Sequence, residues 1–331
     1  MREWFARFRR SHEFWLLLVV LLLCVILSTV TDSFFTFQNF FDLLTSNAFI
    51  GVLCAGLLVV LVAGGIDISF TATATVAQYV AMSVALQYGG NWLTVFVIAC
   101  GIGILCGFFN AVCIYVFKIK SIIVTIATLN IYFGILMFFT KGRYLYSLPD
   151  WFSAGIWWFE YVDADQIPYA LNFQILTLVV VFILTWFLLN RTTTGRQIYA
   201  MGGNPDASQR LGFNLFRLHL IVYGYMGFIA GIASLVQAQL AQSVAPTVLV
   251  GKELDVLAAV VLGGASLLGG VGTVFGTILG LALLAIMQNG LVLMGVSSYY
   301  SQFFTGLIIL VSVSATAVTA MRISRERKAR A

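Results

Sequence analysis

The chain has 331 residues, of which 61% are hydrophobic and only 9% are charged, and its formal net charge is +5. Soluble domains carry about a quarter charged residues, so this composition excludes a soluble protein. Apolar stretches of about 20 residues, long enough to cross a bilayer as helices, recur along the whole length. We therefore predict an all-α polytopic membrane protein that forms a single domain over residues 1–331.

Ten transmembrane helices are predicted from these stretches. They span 14–31, 46–63, 68–87, 93–117, 121–140, 169–190, 217–240, 253–269, 271–294 and 301–321. An even number places both termini on one side, and the positive-inside rule identifies it as the cytoplasm. With that orientation only Lys141, Arg143 and Lys252 of the 18 Lys and Arg residues lie outside. The basic termini are expected to contact anionic membrane lipid and no nucleic acid.

The first glycine-rich interruption is the run 64–69, Gly-Gly-Ile-Asp-Ile-Ser. Broken helices build substrate sites in many transporters, and an ionisable residue at membrane depth is a functional candidate. Asp67, Ser69 and Thr71 are therefore candidates for the substrate pathway. In the alternative interpretation Gly64-Gly65 is a tight cytoplasmic turn and Asp67 caps the following helix. Both interpretations remain open at this point.

A second interruption carries the helix-breaking pairs Gly263-Gly264 and Gly269-Gly270, which are again either substrate sites or turns. Just before it, Glu253 and Asp255 suit the positive start of a helix, with a gate contact to an external protein as the secondary interpretation. Other glycines are predicted to be close packing points between helices. These are Gly101, Gly103, Gly107, Gly227, Gly231, Gly276 and Gly280.

The predicted span interiors carry hydroxyls and amides, and Asn130 is a further pathway candidate among them. Uncharged hydrogen-bonding groups suit a neutral polyol better than an ion, because ion-coupled carriers need buried ionisable groups. The longest outside loop, about 141–168, is rich in Trp and Tyr, which are typical of an interfacial helix. A docking surface for an external partner is the alternative there.

The cytoplasmic loop, about 191–216, contains a short helix with its own capping signals. Asn204 is a favourable N-cap, Pro205 fits the first helical position, and Gly212 can end the helix. So short a helix is unstable alone, which suggests that a soluble partner docks on it. The residues assigned to this coupling role are Asn204, Pro205, Asp206, Ala207, Arg210 and Gly212.

The sequence contains no catalytic constellation, no phosphate-binding GxxxxGK[ST] loop and no metal-ligand spacing. We therefore expect a transport subunit that is not an enzyme and binds no cofactor itself. Any energy from ATP must reach it through another polypeptide.

Four ordered motifs carry a resemblance to a known family. They are the run 64–69, the loop from Gly195 to Gly212, the run 258–273 and the segment 289–298. Together they resemble inner-membrane permeases of bacterial ABC importers for monosaccharides, the ribose, xylose and autoinducer-2 group. The resemblance implies a type II-like importer fold and a pore of two permeases. It also implies cytoplasmic ATPases that bind ATP and Mg²⁺, and a periplasmic sugar-binding protein. The helix at 204–211 then resembles the coupling helix.

One position departs from the family pattern. After the run 64–69 the family usually continues Val-Gly-Ser, whereas this chain has Phe70-Thr71-Ala72. Either the cargo differs from ribose, or the chain pairs with a second, non-identical permease. A related permease for nucleosides or branched-chain amino acids, and a stand-alone secondary carrier, are the alternative functions.

Overall fold

The computed structural model describes residues 12–162 and 168–296, together with 299, 300, 303, 304, 306, 307 and 310. The helices are α1 His12–Val30, α2 Phe37–Val62, α3 Phe70–Tyr88, α4 Trp92–Phe117, α5 Ser121–Thr140, α6 Asp150–Ser153, α7 Phe173–Arg191, α8 Thr193–Gly203, α9 Pro205–Arg210, α10 Leu215–Ala241, α11 Glu253–Leu262 and α12 Val274–Leu293. The strands are β1 Trp157–Val162 and β2 Pro168–Asn172.

Seven of the described helices are long and apolar enough to cross a membrane, namely α1, α2, α4, α5, α7, α10 and α12. They match seven of the predicted spans, and α3 matches the third predicted span with a more polar sequence. The helical, polytopic architecture is therefore confirmed. Most of the last predicted span, 301–321, lies outside the described residues.

The eighth predicted span, 253–269, is wrong as a full crossing. Helix α11 has only 10 residues, which corresponds to a length of about 15 Å. It ends at Leu262, and the backbone then turns at Gly264, whose φ of +89° lies in the left-handed region. The segment from 263 to 273 is an irregular connection between α11 and α12.

The outside loop also differs from the prediction, because it is not an interfacial helix. Strands β1 and β2 pair in an antiparallel hairpin, with Trp157 opposite Asn172, and α6 is a single turn of 4 residues. The prediction of an all-α chain is therefore wrong in this loop. Aromatic residues suit a β-strand as well as a membrane interface, so composition could not distinguish the two.

Helix α2 is the centre of the bundle. Every residue from Gly51 to Val62 is buried, and α7, α10, α11 and α12 pack around it. A helix that is apolar on all sides and enclosed by other helices is a core element rather than a lipid-facing one.

The most extensive helix pair, α4 and α10, is in backbone contact. A methyl group added at Gly103 would lie 2.0 Å from the carbonyl oxygen of Gly227. Such close approach needs small residues on both helices. The predicted packing role is confirmed for Gly103, Gly107, Gly227, Gly231, Gly276 and Gly280. It is wrong for Gly101, which faces open space.

Candidate coupling and translocation sites

Helix α9 has the local structure that its sequence predicts. The Asn204 side chain accepts a hydrogen bond from the Ala207 N–H at 2.9 Å, and Pro205 occupies the first turn. Asp206 lies in that first turn and Arg210 in the last, where each charge suits the helix dipole. Gly212 follows the helix with φ +83° and donates its N–H to the Gln209 carbonyl at 3.0 Å.

The surface of α9 is available to a partner. Ser208 is its buried residue, while Asn204, Ala207 and Arg210 are exposed. Leu211, directly after the helix, is an apolar side chain with 73% of its surface exposed. Neighbouring apolar and charged surface on a capped helix is a feature of docking sites.

The sequence prediction missed α8, the helix that precedes α9. Asn204 ends α8, with its N–H bonded to the Ala200 carbonyl, and also caps α9. The two helices therefore share one residue and leave no flexible linker between them. Thr192 is the signal that could have revealed α8, since its hydroxyl accepts from the Gly195 N–H at 2.9 Å.

Behind α9, glycines from three segments meet at one point, which we call the glycine cluster: Gly64, Gly202, Gly203, Gly269 and Gly270. A methyl group at Gly202 would lie 1.9 Å from the Val62 carbonyl oxygen. One at Gly269 would lie 2.6 Å from the Cα atom of Gly64. The two predicted helix breaks thus contact each other and the α8–α9 corner through backbone atoms.

Hydrogen bonds reinforce the glycine cluster. The Gly270 N–H donates to the carbonyl of Val62, the last residue of α2, at 2.9 Å. The Tyr199 hydroxyl of α8 donates to the Gly272 carbonyl at 2.6 Å. Burial raises the pKa of Tyr199, so this hydroxyl keeps its proton and remains a donor.

The other three helix-break glycines also have packing partners. A methyl group at Gly65 would lie 2.3 Å from the Tyr223 hydroxyl, and one at Gly263 would lie 2.5 Å from the Gly276 carbonyl oxygen. Gly264 lies against His12, whose ring bonds the Leu262 carbonyl at 2.9 Å. This geometry supports turns and close packing at the glycine pairs.

Asp67 and Ser69 form a buried network at the start of α3. The Ser69 N–H and hydroxyl both donate to Asp67 Oδ1, at 2.8 and 2.7 Å. The Asn110 amide of α4 donates to the Ser69 hydroxyl at 2.7 Å. The Asp67 carboxylate therefore fixes the bend that leads into α3, while Ser69 occupies the N-cap position without a side-chain capping bond.

Thr71 lies apart from that network and donates its hydroxyl to the carboxylate of Glu253. The contact joins the first turn of α3 to the first residue of α11. Glu253 therefore contacts another helix, which capping alone does not require, and sequence analysis did not identify it as a pathway residue.

The Thr71–Glu253 contact lies near the middle of the bundle. The Cys54 thiol contacts the carbonyl of Val256, one turn into α11, at 3.7 Å. Cys54 precedes the end of α2 by eight residues, a distance of about 12 Å along a helix of about 39 Å. Both α3 and α11 therefore begin near the middle of the bundle rather than at its ends, as the broken helices of transporters do.

Asn130 does not belong to this group. Its side chain is exposed on α5 and donates to the Ile126 carbonyl of its own helix at 2.8 Å. The structure thus brings Thr71 and Glu253 together and leaves Asn130 on the outside of the chain.

At the opposite end of the bundle, two loops close over α3. Leu145 and Val244 exchange both backbone hydrogen bonds, at 2.9 and 3.0 Å. Val244 is buried in one apolar cluster with Leu148, Phe152 and Met82 of α3. We call these five residues the outer closure.

Comparison with known proteins identifies the family. Residues 39–313 match the family described as the permease component of a branched-chain amino acid transport system. The ribose import permease of Escherichia coli strain K12 is 32% identical over 304 residues, which cover 90% of this chain and 91% of that protein. The corresponding permease of Bacillus subtilis strain 168 is 31% identical over 292 residues, 88% of each chain.

A third relative has another cargo in its name. The autoinducer 2 import system permease of Photorhabdus luminescens is 29% identical over 305 residues, 91% of this chain and 88% of that protein. No solved structure matches the chain. The chain belongs to this family of ABC importer permeases, which are non-enzymatic subunits located in the bacterial inner membrane.

Proposed function

We propose that this chain is the permease subunit of an ATP-driven, binding-protein-dependent importer for a monosaccharide or a similar small polyol. The observation that carries the proposal is the exposed, capped helix α9, whose base is in backbone contact with the ends of the broken helices. The similarity to ribose and autoinducer-2 import permeases over about nine-tenths of the chain supports the cargo class.

The proposed assembly follows from this role. The chain forms one polytopic helical domain over residues 1–331, with both termini in the cytoplasm. It pairs with a second permease, identical or homologous, to form the pathway by alternating access. Cytoplasmic ATPases bind ATP and Mg²⁺ and dock on α9, and a periplasmic binding protein delivers the cargo.

The proposed coupling path runs through the glycine cluster. Asn204, Pro205, Asp206, Ala207, Arg210 and Gly212 form or end the docking helix. Motion of α9 moves α8 with it, because Asn204 belongs to both helices. The glycine contacts then transmit the motion to the end of α2 and to the connection between α11 and α12.

An amino-acid cargo is the second candidate, since it is named in the family description. Such a cargo carries a carboxylate, which needs a cation or a set of N–H donors in its site. Among the described residues, Lys252 beside Glu253 is paired with Asp255 at 3.2 Å, so these three side chains together carry a net negative charge. This arrangement favours a cargo that presents hydroxyl groups.

The test is uptake by the complete importer in proteoliposomes containing ATP. We expect radiolabelled ribose to accumulate only with ATP inside and binding protein outside, and leucine not to accumulate. An uncoupler should have no effect. Uptake without ATP that collapses with an uncoupler would identify a secondary carrier, and uptake of leucine alone would identify the amino-acid function.

A further inference from the structure

One face of α3 carries a row of polar side chains in the buried part of the bundle. Thr71, Thr75 and Gln78 follow one another at spacings of four and three residues, so they lie on one face. All three are buried. The Thr71 hydroxyl shows which way this face points, because it donates to Glu253 at the start of α11.

The Gln78 amide has no hydrogen-bond partner among the described residues. Its side chain is fully buried, and neither Nε2 nor Oε1 makes a hydrogen bond to any described atom. An unpaired buried amide destabilises a protein, so it is uncommon in the absence of a functional reason. Thr75, in contrast, donates its hydroxyl to the Thr71 carbonyl at 2.7 Å.

Glu253 carries a carboxylate that has no ion-pair partner in the described part of the chain. Lys252, the adjacent basic residue, forms its ion pair with Asp255 at 3.2 Å instead. Within the described part of the chain, no ion pair includes Glu253. A carboxylate in this state attracts hydroxyl and N–H donors, and it can accept from two of them at once.

The outer closure lies just beyond this row. Met82 follows Gln78 by one turn of α3 and is buried against Leu148 and Val244. Gln78 therefore lies between the outer closure and the Thr71–Glu253 contact. A cargo that enters through the outer closure would reach the level of Gln78 before that of Thr71 and Glu253.

We propose that Glu253, Thr71 and Gln78 form the hydroxyl-recognition site for an uncharged polyhydroxyl cargo. In the closed chain the Thr71 hydroxyl donates a hydrogen bond to the Glu253 carboxylate. A cargo hydroxyl replaces it, and a second cargo hydroxyl bonds the Gln78 amide. The negative charge of Glu253 repels anionic solutes. This inference rests on the proposed importer function, which it deepens by naming the residues that discriminate.

The test uses the complete importer in proteoliposomes and two probes, ribose and 2-deoxyribose, which differ by one hydroxyl. Glu253→Gln removes the charge and retains the shape. Asp42→Asn is the control, because it makes the same kind of change at an exposed carboxylate of α2. The binding protein is the same in every assay, so its own preference cancels when each variant is compared with the unmodified chain.

We expect Glu253→Gln to lower ribose uptake roughly tenfold, as loss of a charge-assisted hydrogen bond does. The ratio of ribose uptake to 2-deoxyribose uptake should also fall toward one. Asp42→Asn should retain both values. A Gln78→Met variant separates recognition from structure, since it replaces an unpaired amide by an apolar group of similar size. Its melting temperature should be equal or higher while ribose uptake falls.

Three results would overturn the inference. The first is unchanged uptake and preference in Glu253→Gln, and the second is equal loss in the Asp42→Asn control. The third is a Gln78→Met variant with unchanged uptake. An unmodified chain that transports neither sugar would instead refute the proposed polyol function, so the two failures are distinguishable.

Discussion

The two ends of the bundle are held together by different kinds of contact. At the glycine cluster, backbone lies directly against backbone, with no side chain between Gly202 and Val62. At the outer closure, two loops share one pair of backbone hydrogen bonds, and apolar side chains such as Leu148 and Met82 fill the rest.

This difference predicts a different response to force at each end. Backbone contact leaves no space to compress, so movement of the α8–α9 corner must also move the segments that Gly202 and Gly203 contact. Side chains and loops separate at lower cost, because loops open locally without disturbing the core. The glycine cluster is therefore suited to transmit motion, and the outer closure is suited to open.

The largest expected effect comes from adding one methyl group to the glycine cluster. Gly202→Ala places Cβ 1.9 Å from the Val62 carbonyl oxygen, so the backbone must shift. We expect a loss of about 2 kcal/mol or more in folding free energy. The complex should melt at lower temperature in detergent and lose uptake.

The neighbouring glycine is the matched control. Gly203→Ala adds the same methyl group to the same helix, where nothing lies within 4 Å. We expect this variant to keep the melting temperature and uptake of the unmodified chain. Equal melting temperatures for the two variants would show that the glycine cluster is not tightly packed.

The second prediction separates coupling from stability. Replacing Pro205 and Asp206 by two glycines weakens α9, because glycine favours the unfolded chain and because the pre-set φ of Pro205 and the favourable charge of Asp206 are both lost. Helix α9 is exposed, so the bundle should insert and melt as before. ATP-dependent uptake should be abolished. Normal uptake by this variant would refute the coupling role of α9.

The smallest effect concerns the outer closure and is best measured by hydrogen exchange. We expect the amides of Leu145 and Val244 to exchange at least tenfold faster than that of Gly270, which bonds the end of α2. Val244→Ser should accelerate exchange at Leu145 further, with little change in uptake. Equal protection at both ends would remove the distinction between them.

The sequence predicts those features that depend on neighbouring residues. The caps of α9 follow from Asn204, Pro205 and Gly212, because capping is a local interaction. The long helices follow from apolar stretches for the same reason. The early end of α11 could not be predicted in this way, because apolar residues continue in the sequence beyond the end of the helix at Leu262.

Contacts between distant segments could not be predicted. Thr71 and Glu253 are 182 positions apart, and a single sequence gives no sign that they meet. Likewise, Gly101 and Gly103 look equivalent as packing residues. They differ because Gly103 faces α10 and Gly101 does not, and the orientation of a uniformly apolar helix is set by its neighbours.

The most direct measurement is the amount of ATPase that copurifies with the chain. The unmodified chain and the Pro205→Gly/Asp206→Gly variant, each tagged at the C-terminus, would be extracted in mild detergent and quantified by mass spectrometry. The account predicts about one ATPase per permease for the unmodified chain, as a symmetric complex requires, and loss of the ATPase from the variant. Equal ATPase in both preparations, or none in either, would contradict it.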